Sequence, residues 1–357
     1  MKTLELEITD VAFGGNGVAR HDGKVYFVPF TIPGEKVVAR VVREKKKFGE
    51  AELISVTHES PDRVAPECPY FERCGGCSYQ HIAYARQLEI KTRQVAEILR
   101  RVGRISHIPM RDIIPAPAPY GYRNRIRVHR AAGITGFFAH GAQALIDIEQ
   151  CPISMPEVNA ALRRLRMSPV GDGDYSLRAP GGGGPFFEQT NAEVARAMVT
   201  FVAANLRRGQ ALLVDGFCGS GLFAAQLAEL FVQTIGIEQN EFAIAQARRH
   251  GTTRERYIAG TVEEHLGDIL QGHDPNLTTV LLDPPATGIS PRLLDILSGT
   301  PVSELVYVSC NPATLARDLA GLAGAFELTS VTPVDMFPQT AEIEVVAVLR
   351  RASPPPR

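Results

Sequence analysis

From residue 210 onward, short apolar runs alternate with amphipathic ones, and this constrains the fold more than any other feature of the 357 residues. The runs are ALLVDG, GLFAAQLAEL, VQTIGIE, FAIAQARR, YIAG, TVLLD, PRLLDIL, LVYVS, ATLARDLAGL, FELTSVTPV and EVVAVLR. Strands that alternate with helices build a parallel sheet covered on both faces, an α/β, doubly wound architecture. The last two strands have no helix between them, which predicts an antiparallel edge. Ligands of such sheets bind outside the carboxyl ends of the strands, so polar residues closing the apolar runs are the candidates for chemistry.

Three run ends carry such residues. In LVYVSCNPATLARD a buried strand (Leu305 to Val308) delivers Cys310 into the start of a helix, with Asn311 suited to the N-cap and Pro312 to the first helical position. The helix is predicted from Pro312 to about Leu322. A thiolate beside a helix N-terminus has a lowered pKa and is the nucleophilic form, whereas the competing reading is a small buried hydrophobe. In TVLLDPPATG another strand ends at Asp283, which should share a crevice with Cys310. In LLVDGFCGSG, Asp215 closes a strand and Gly219 and Gly221 open a helix, while Glu238 ends the next strand, where an acid can accept from ribose hydroxyls. With Asp-Pro-Pro and no full G-x-G-x-x-G, this combination favours S-adenosylmethionine over NAD.

The start MKTLELEITD is polar, and no apolar run reaches the roughly 18 residues of a membrane span, so a cytoplasmic protein with no membrane partner is expected. Six cysteines, at 68, 74, 77, 151, 218 and 310, then argue for metal or catalysis before disulfides. Cys68, Cys74 and Cys77 form C-x5-C-x2-C, and Cys151 lies downstream in IEQCPIS. Four such thiolates suit zinc or a 4Fe–4S cluster equally. The net charge of −1 excludes a global basic field, but residues 67 to 180 carry 16 Lys+Arg against 10 Asp+Glu, and the residues beyond carry 12 against 19. A basic middle beside an acidic catalytic part suggests a polyanion held by one and processed by the other.

Residues 3 to 57 read as short alternating strands punctuated by glycine turns, a small β-barrel, with Lys45, Lys46 and Lys47 on or beside one strand. His81 to Gly103 is helical, with Tyr84, Leu88, Val95, Ile98, Leu99 and Val102 at helical spacing. In GYRNRIRVHR, Arg123, Arg125 and Arg127 share one face of a strand, a spacing suited to phosphates or base edges. Gly181 to Gly184 read as a flexible hinge.

GGNGVARHDGKVYFVP and IPGE resemble a TRAM domain, a small RNA-binding barrel. Together with CPYFERCGGC, DGFCGSG, GIEQN, LLDPPATG, VYVSCNPATLARDL and DMFPQTAEIE, they resemble, over nearly the whole chain, the RNA 5-methyluridine methyltransferases that carry an iron–sulfur cluster and an N-terminal TRAM domain. The resemblance implies a TRAM/OB-like barrel over 1–60 and a central α+β domain with a metal cluster over 61–180, whose helix 81–103 packs on the catalytic domain. A Rossmann-like class I S-adenosylmethionine-dependent methyltransferase domain would follow over 181–357. It implies a 4Fe–4S cluster on Cys68, Cys74, Cys77 and Cys151, and a donor and uridine pocket lined by Gln189, Phe217, Glu238 and Asp283. Cys310 is then the nucleophile and Glu344 the base, with Glu342, facing the same way on a strand, as rival base. The implied substrate is RNA, 23S ribosomal RNA ahead of the tRNA T-loop, and the implied enzyme a monomer. The sequence departs from the family at Ala286, where arginine is usual after Asp-Pro-Pro, at Glu342, where histidine is usual, and at Leu222 and Thr261. A non-catalytic RNA-binding or assembly factor would not need Cys310, Asp283 and Glu344 together, and a cytosine enzyme would set its cysteine after proline.

Overall fold

The computed structural model describes residues 2–180 and 189–352; the glycine hinge expected at Gly181 to Gly184 lies outside the described residues. The chain divides into two compact units, one of Met1–Gln94, Ala116–Gly182 and Phe337–Glu342, the other of Val95–Pro115, Gly183–Met336 and Ile343–Arg357.

The first unit opens with five strands, β1 (Thr3–Val11), β2 (Gly17–His21), β3 (Lys24–Val28), β4 (Lys36–Glu44) and β5 (Phe48–His58), closed into a barrel in the order β1-β2-β3-β5-β4. The strict alternation of LELEIT decides which face is inside. Leu4, Leu6 and Ile8 are buried with Ala19, Tyr26, Val28 and Val37, while Glu5 and Glu7 face out. The turn between β2 and β3 is Asp22-Gly23, with φ of +48° and +75°, the left-handed pair that a tight hairpin of right-twisted strands requires. Lys45, Lys46 and Lys47 lie exposed at the β4–β5 turn.

Helix α1 (Tyr84–Arg101) follows, and Ile90 in its first half packs with Val11, Ile32, Tyr79 and Ile82. Val102 falls beyond the helix and is 50 % exposed, so its predicted place on the buried stripe is wrong; the helix stops short of it. The unit is completed by β6 (Arg125–Ala131), β7 (Ile134–Phe138), β8 (Leu145–Asp147), α2 (Pro156–Met167) and β9 (Gly173–Arg178). These strands form an antiparallel sheet in the order β8-β7-β6-β9. Val158, Leu162 and Leu165 of α2 pack on Ile126, Val128 and Ile148.

The second unit holds α3 (Ala192–Asn205), β10 (Leu212–Gly216), α4 (Leu222–Leu227), β11 (Gln233–Glu238), α5 (Glu241–His250), β12 (Glu255–Ala259), α6 (Val262–Gln271) and β13 (Thr278–Leu282). It continues with α7 (Pro291–Gly299), β14 (Glu304–Ser309), α8 (Pro312–Leu322), β15 (Phe326–Val334) and β16 (Glu344–Arg351). Its sheet has the order β12-β11-β10-β13-β14-β16-β15. Strands β10, β13 and β14 are buried along their whole length, as continuous apolar runs covered on both faces must be.

One detail corrects the expected edge. β16 inserts between β14 and β15 and is antiparallel to both, so the antiparallel strand is the last but one, and β15 forms the edge. Val95 and Leu99, from the second half of α1, belong to this unit's core with Leu315, Ala316 and Leu319 of α8. Gly103 permits the close approach, since a Cβ there would stand 2.8 Å from the Leu99 carbonyl oxygen and 2.9 Å from that of Ala316. Among the described residues no helix is long and apolar enough to cross a membrane.

Candidate active site

Strand register gathers the predicted catalytic residues. Gly216 of β10 pairs with Leu282 of β13, and Leu282 with Tyr307 of β14, so Phe217, Asp283 and Cys310 all leave the sheet at its carboxyl edge. On the other side of β14, Ser309 lies opposite Val345 of β16. Cys310 is the next residue after Ser309, and Glu344 the residue before Val345, so both lie at this strand end. Antiparallel insertion of β16 therefore returns an acid from late in the chain to the strand end that bears the thiol.

Local chemistry fixes the thiol's segment. Asn311 caps α8 as predicted, its side chain accepting from the Ala313 amide at 3.0 Å, and Pro312 occupies the first turn. The Ser309 hydroxyl donates to the Asn311 carbonyl at 3.1 Å and accepts from the Asn311 amide at 3.1 Å, so Cys310 is bracketed by a closed hydrogen-bonded loop. Cys310 is partly exposed, and Glu344 is 4 % exposed at the first position of β16. Glu342 lies before the strand and is exposed, its amide donating to the Thr340 hydroxyl, so the expectation that it shares a strand face with Glu344 fails because β16 begins two residues later.

The acids beside this edge are shifted upward. Asp283 donates its amide to the Gly216 carbonyl at 3.2 Å; it keeps some exposed surface, yet loss of hydration within the crevice pushes its carboxyl up to about 7. Asp215 is fully buried. One of its oxygens accepts from the Ala224 amide at 2.8 Å at the start of α4, and the other has no partner. Burial first, and then the nearby Asp283 and Glu238, hold its carboxyl well above the usual range.

Two cavities flank Phe217, which adopts φ of +63°, a left-handed conformation that is strained for a bulky residue. One, of about 820 Å³, is walled by Phe217, Ile237, Glu238, Thr261 and Val262. The other, of about 280 Å³, is lined by Gln189, Phe217, Gly219, Gly221, Leu222 and Asp283. Gly219 and Gly221 have φ of +54° and +90°, and a Cβ on Gly221 would stand only 2.7 Å from the Tyr257 hydroxyl. Glu238 is held by both oxygens, one accepting from the Gly219 amide at 3.2 Å and the other from the Asn240 amide at 2.8 Å. The result is an apolar slot with a fixed carboxylate at its rim, joined past an aromatic ring to a glycine-lined recess. Of the predicted donor residues, Gln189, Phe217, Gly219, Gly221, Glu238 and Asp283 line these cavities, whereas Asp215 lies beneath the glycine loop and braces α4.

In the first unit, Cys68, Cys74, Cys77 and Cys151 all line one cavity of about 210 Å³. Burial, reinforced by their mutual proximity, raises the Cys68 and Cys74 thiols and pushes Cys77 up to about 12. Among the described residues, however, no group of three or more Cys, His, Asp or Glu is gathered tightly enough to hold a metal ion. The described residues therefore show neither a zinc site nor a cluster site, although the four thiols share one cavity.

Beside them, Ile126 and Val128 of β6 point inward, but the three arginines do not share one strand face: Arg123 lies before β6, in an isolated bridge with Ser154, and lines the cysteine cavity with Arg127, which is paired with Asp174. Arg178, which sequence alone did not single out, sits opposite Arg125 across β6 and β9. Also missed were Glu263, Ser290 and Arg317, which line the larger cavity. They fall on helix starts and a helix surface, where local pattern carries no sign of what lies across the loop.

The TRAM domain profile matches residues 1–54, and the profile described as tRNA (Uracil-5-)-methyltransferase matches residues 264–352. An uncharacterized RNA methyltransferase of Bdellovibrio bacteriovorus is 32% identical, covering 97% of this chain and 95% of that protein. Another, of Gloeobacter violaceus, is 30% identical, covering 98% and 97%. The crystal structure of Pyrococcus abyssi tRNA (uracil-54, C5)-methyltransferase in complex with S-adenosyl-L-homocysteine is similar with a TM-score of 0.73 at 24% identity, covering 97% of this chain and 100% of that one. That likeness is one of fold: the seven-stranded sheet is that of an S-adenosylmethionine-dependent methyltransferase. The chain belongs to the RNA (uracil-5-)methyltransferase family and carries a TRAM domain at its N-terminal side.

Proposed function

We propose that this protein transfers a methyl group from S-adenosylmethionine to carbon 5 of a uridine in RNA through a covalent adduct between Cys310 and carbon 6. The observation that supports this reading is the pairing of Ser309 with Val345, which leaves the neighbouring Cys310 and Glu344 at one strand end at the carboxyl edge of the sheet, one strand from Asp283. Carbon 5 of uracil is a weak nucleophile. Addition of the Cys310 thiolate to carbon 6 moves the ring's electron pair onto the carbon 5–oxygen 4 enolate, and carbon 5 can then take the methyl, with S-adenosylhomocysteine leaving. Glu344 removes the carbon 5 proton; the electron pair closes the ring double bond and expels the thiolate. Asp283 faces the donor or the uracil edge. The base has to leave its stack for carbon 6 to be reached.

The slot beside Glu238 suits the adenosine of the donor and the glycine recess its amino-acid end, with Phe217 between them. In the first unit, the thiolates of Cys68, Cys74, Cys77 and Cys151 would hold a 4Fe–4S cluster. Its contribution is structural, by joining the loop 68–77 to the segment that precedes α2.

The favoured target is a uridine of 23S ribosomal RNA, a preference resting on the TRAM-plus-cluster organisation. The tRNA T-loop is the second reading, favoured by the tRNA name of the matching profile and of the similar Pyrococcus abyssi enzyme. Incubating the protein and methyl-labelled donor with 23S ribosomal RNA or with total tRNA, and mapping the labelled nucleotide, tests both. Label at carbon 5 of uridine in one RNA is expected; label on cytosine, or none in either RNA, would sink the reading.

A further inference from the structure

Asp318 is fully buried on α8, eight residues beyond Cys310. Its carboxylate collects three partners from three places. The Tyr307 hydroxyl donates to Oδ2 at 2.7 Å from β14, three residues before the thiol. The Ile289 amide donates to the same oxygen at 3.0 Å from the loop that leaves Asp283. Arg317 donates to Oδ1 at 2.8 Å.

The loop is held again, and at each step by its backbone. Arg317 donates to the Thr287 carbonyl at 2.9 Å, and Asn311 and Thr314, in the first turn of α8, both donate to the Ala286 carbonyl, at 3.2 and 3.1 Å. Gly288, with φ of +75°, lies so close that a Cβ there would meet Asp318 Oδ2 at 2.3 Å and the Arg317 guanidinium at 2.6 Å. The side chain at 286 is a methyl group and takes no part, so α8 grips the Asp-Pro-Pro loop in two tiers, without help from the loop's own side chains.

A buried charged acceptor is rarely retained for stability alone, because its desolvation must be offset by every bond it makes. Here each bond runs to a segment that positions a reacting group. Tyr307 pairs with Leu282, the residue before Asp283, and leads to Cys310. We propose that Asp318 is a positioning residue for methyl transfer. It locks the Asp283 loop, the end of β14 and the first two turns of α8 into one rigid piece, and so sets the thiol of Cys310 against the acid and the donor cavities.

This rests on Cys310 being the nucleophile, and the experiment separates the two. In the full-length protein, Asp318→Asn keeps size and one acceptor but loses the ion pair; Tyr307→Phe removes one bond, and Thr314→Val loosens the outer tier only. Three quantities are read: the rate of adduct formation with 5-fluorouridine RNA, kcat against KM for RNA, and the affinity for S-adenosylhomocysteine. A displaced reacting atom costs on the order of a hundredfold, so Asp318→Asn should slow adduct formation and kcat by about 30- to 100-fold and Tyr307→Phe by about tenfold. Donor-product affinity and KM should stay within about threefold of the parent. Adduct rates at the parental level in Asp318→Asn overturn the proposal, and so does a loss of donor-product affinity in step with the rate, which marks general damage to the fold. Should Asp318→Asn fail to fold, parental rates in both Tyr307→Phe and Thr314→Val overturn it instead. Cys310→Ala is the separate control: if it still methylates uridine, the nucleophile reading fails, whereas a dead Cys310→Ala beside a fully active Asp318→Asn removes only the clamp.

Discussion

The proposed base Glu344 lies at the carboxyl edge because β16 runs antiparallel between two strands of the opposite sense, and its burial distinguishes it from Glu342. Proton removal is the last bond-breaking step before the thiolate departs, so Glu344→Gln should stop the reaction after the methyl has moved. The expected product is a methylated protein–RNA adduct stable to denaturing electrophoresis, with turnover lowered by about 10²- to 10⁴-fold, the usual contribution of a general base. Glu342→Gln should turn over normally and accumulate nothing; an adduct that builds up in Glu342→Gln instead would reverse the assignment. Asp283 supplies a second test. Its folded pKa of about 7 lies above the value of about 3.9 in an unfolded chain, so between these limits the native state holds a proton that the unfolded chain has released. Its contribution to stability is therefore complete below about pH 4 and is lost as pH rises through about 7. Melting curves of the ligand-free protein should show a larger drop in midpoint between about pH 5 and pH 8 than those of Asp283→Asn, and equal drops would show that Asp283 ionises normally.

At the scale of elements, the β10–α4 turn depends on glycine for two separate reasons at one position. Gly221 combines φ of +90° with contact against the Tyr257 ring and hydroxyl, so Gly221→Ala must both adopt a left-handed conformation and push a buried tyrosine aside. A cost of about 1–3 kcal/mol is expected, with affinity for S-adenosylhomocysteine weakened at least tenfold by calorimetry. Tyr257→Phe in the same chain should recover only part of it, because the backbone conformation remains. The β6–β9 pair is the proposed corresponding element for RNA. Arg125 faces Arg178, and desolvation together with Arg178 and Arg127 lowers the Arg125 pKa, so this strand pair gathers cations. Arg125→Glu with Arg178→Glu should flatten the salt dependence of RNA binding by about 0.7 per lost phosphate contact. An unchanged slope would place the backbone elsewhere.

For the whole molecule the division of labour follows from charge and covalent geometry. The proposed catalytic groups reside in the acidic second unit, while the barrel and the cysteine-lined sheet carry the exposed Lys45, Lys46 and Lys47 and the arginine strand pair. Anaerobically purified protein is expected to be brown with about four irons per chain, and Cys74→Ser to be bleached while retaining affinity for S-adenosylhomocysteine within about threefold, since the thiols and the donor cavities belong to different units. Colourless protein with one zinc per chain would disprove the cluster, and bleaching that abolished donor-product binding would give the group more than a structural role.

Periodicity and punctuation determined most of the elements. The continuous apolar runs of β10, β13 and β14 can only be strands covered on both faces, Asn311-Pro312 can only start a helix cheaply, and the alternation of LELEIT fixes which side of β1 is inside. The chemistry at strand ends was legible for the same reason, because an open parallel sheet exposes its carboxyl edge whatever the rest of the chain does. What local pattern could not contain was neighbourhood between segments far apart in sequence. The insertion of β16 beside β14 is decided by which antiparallel pairing buries both faces of that strand, and it places Glu344 at the strand end that precedes Cys310. Arg178 meets Arg125 through the antiparallel pairing of β6 with β9, two segments well separated along the chain, and Asp318 finds its partners through the path of a loop pressed against α8. Each of these is a long-range contact whose energy exists only once the core has closed, so the residues involved carry no mark of it in their own stretch of chain.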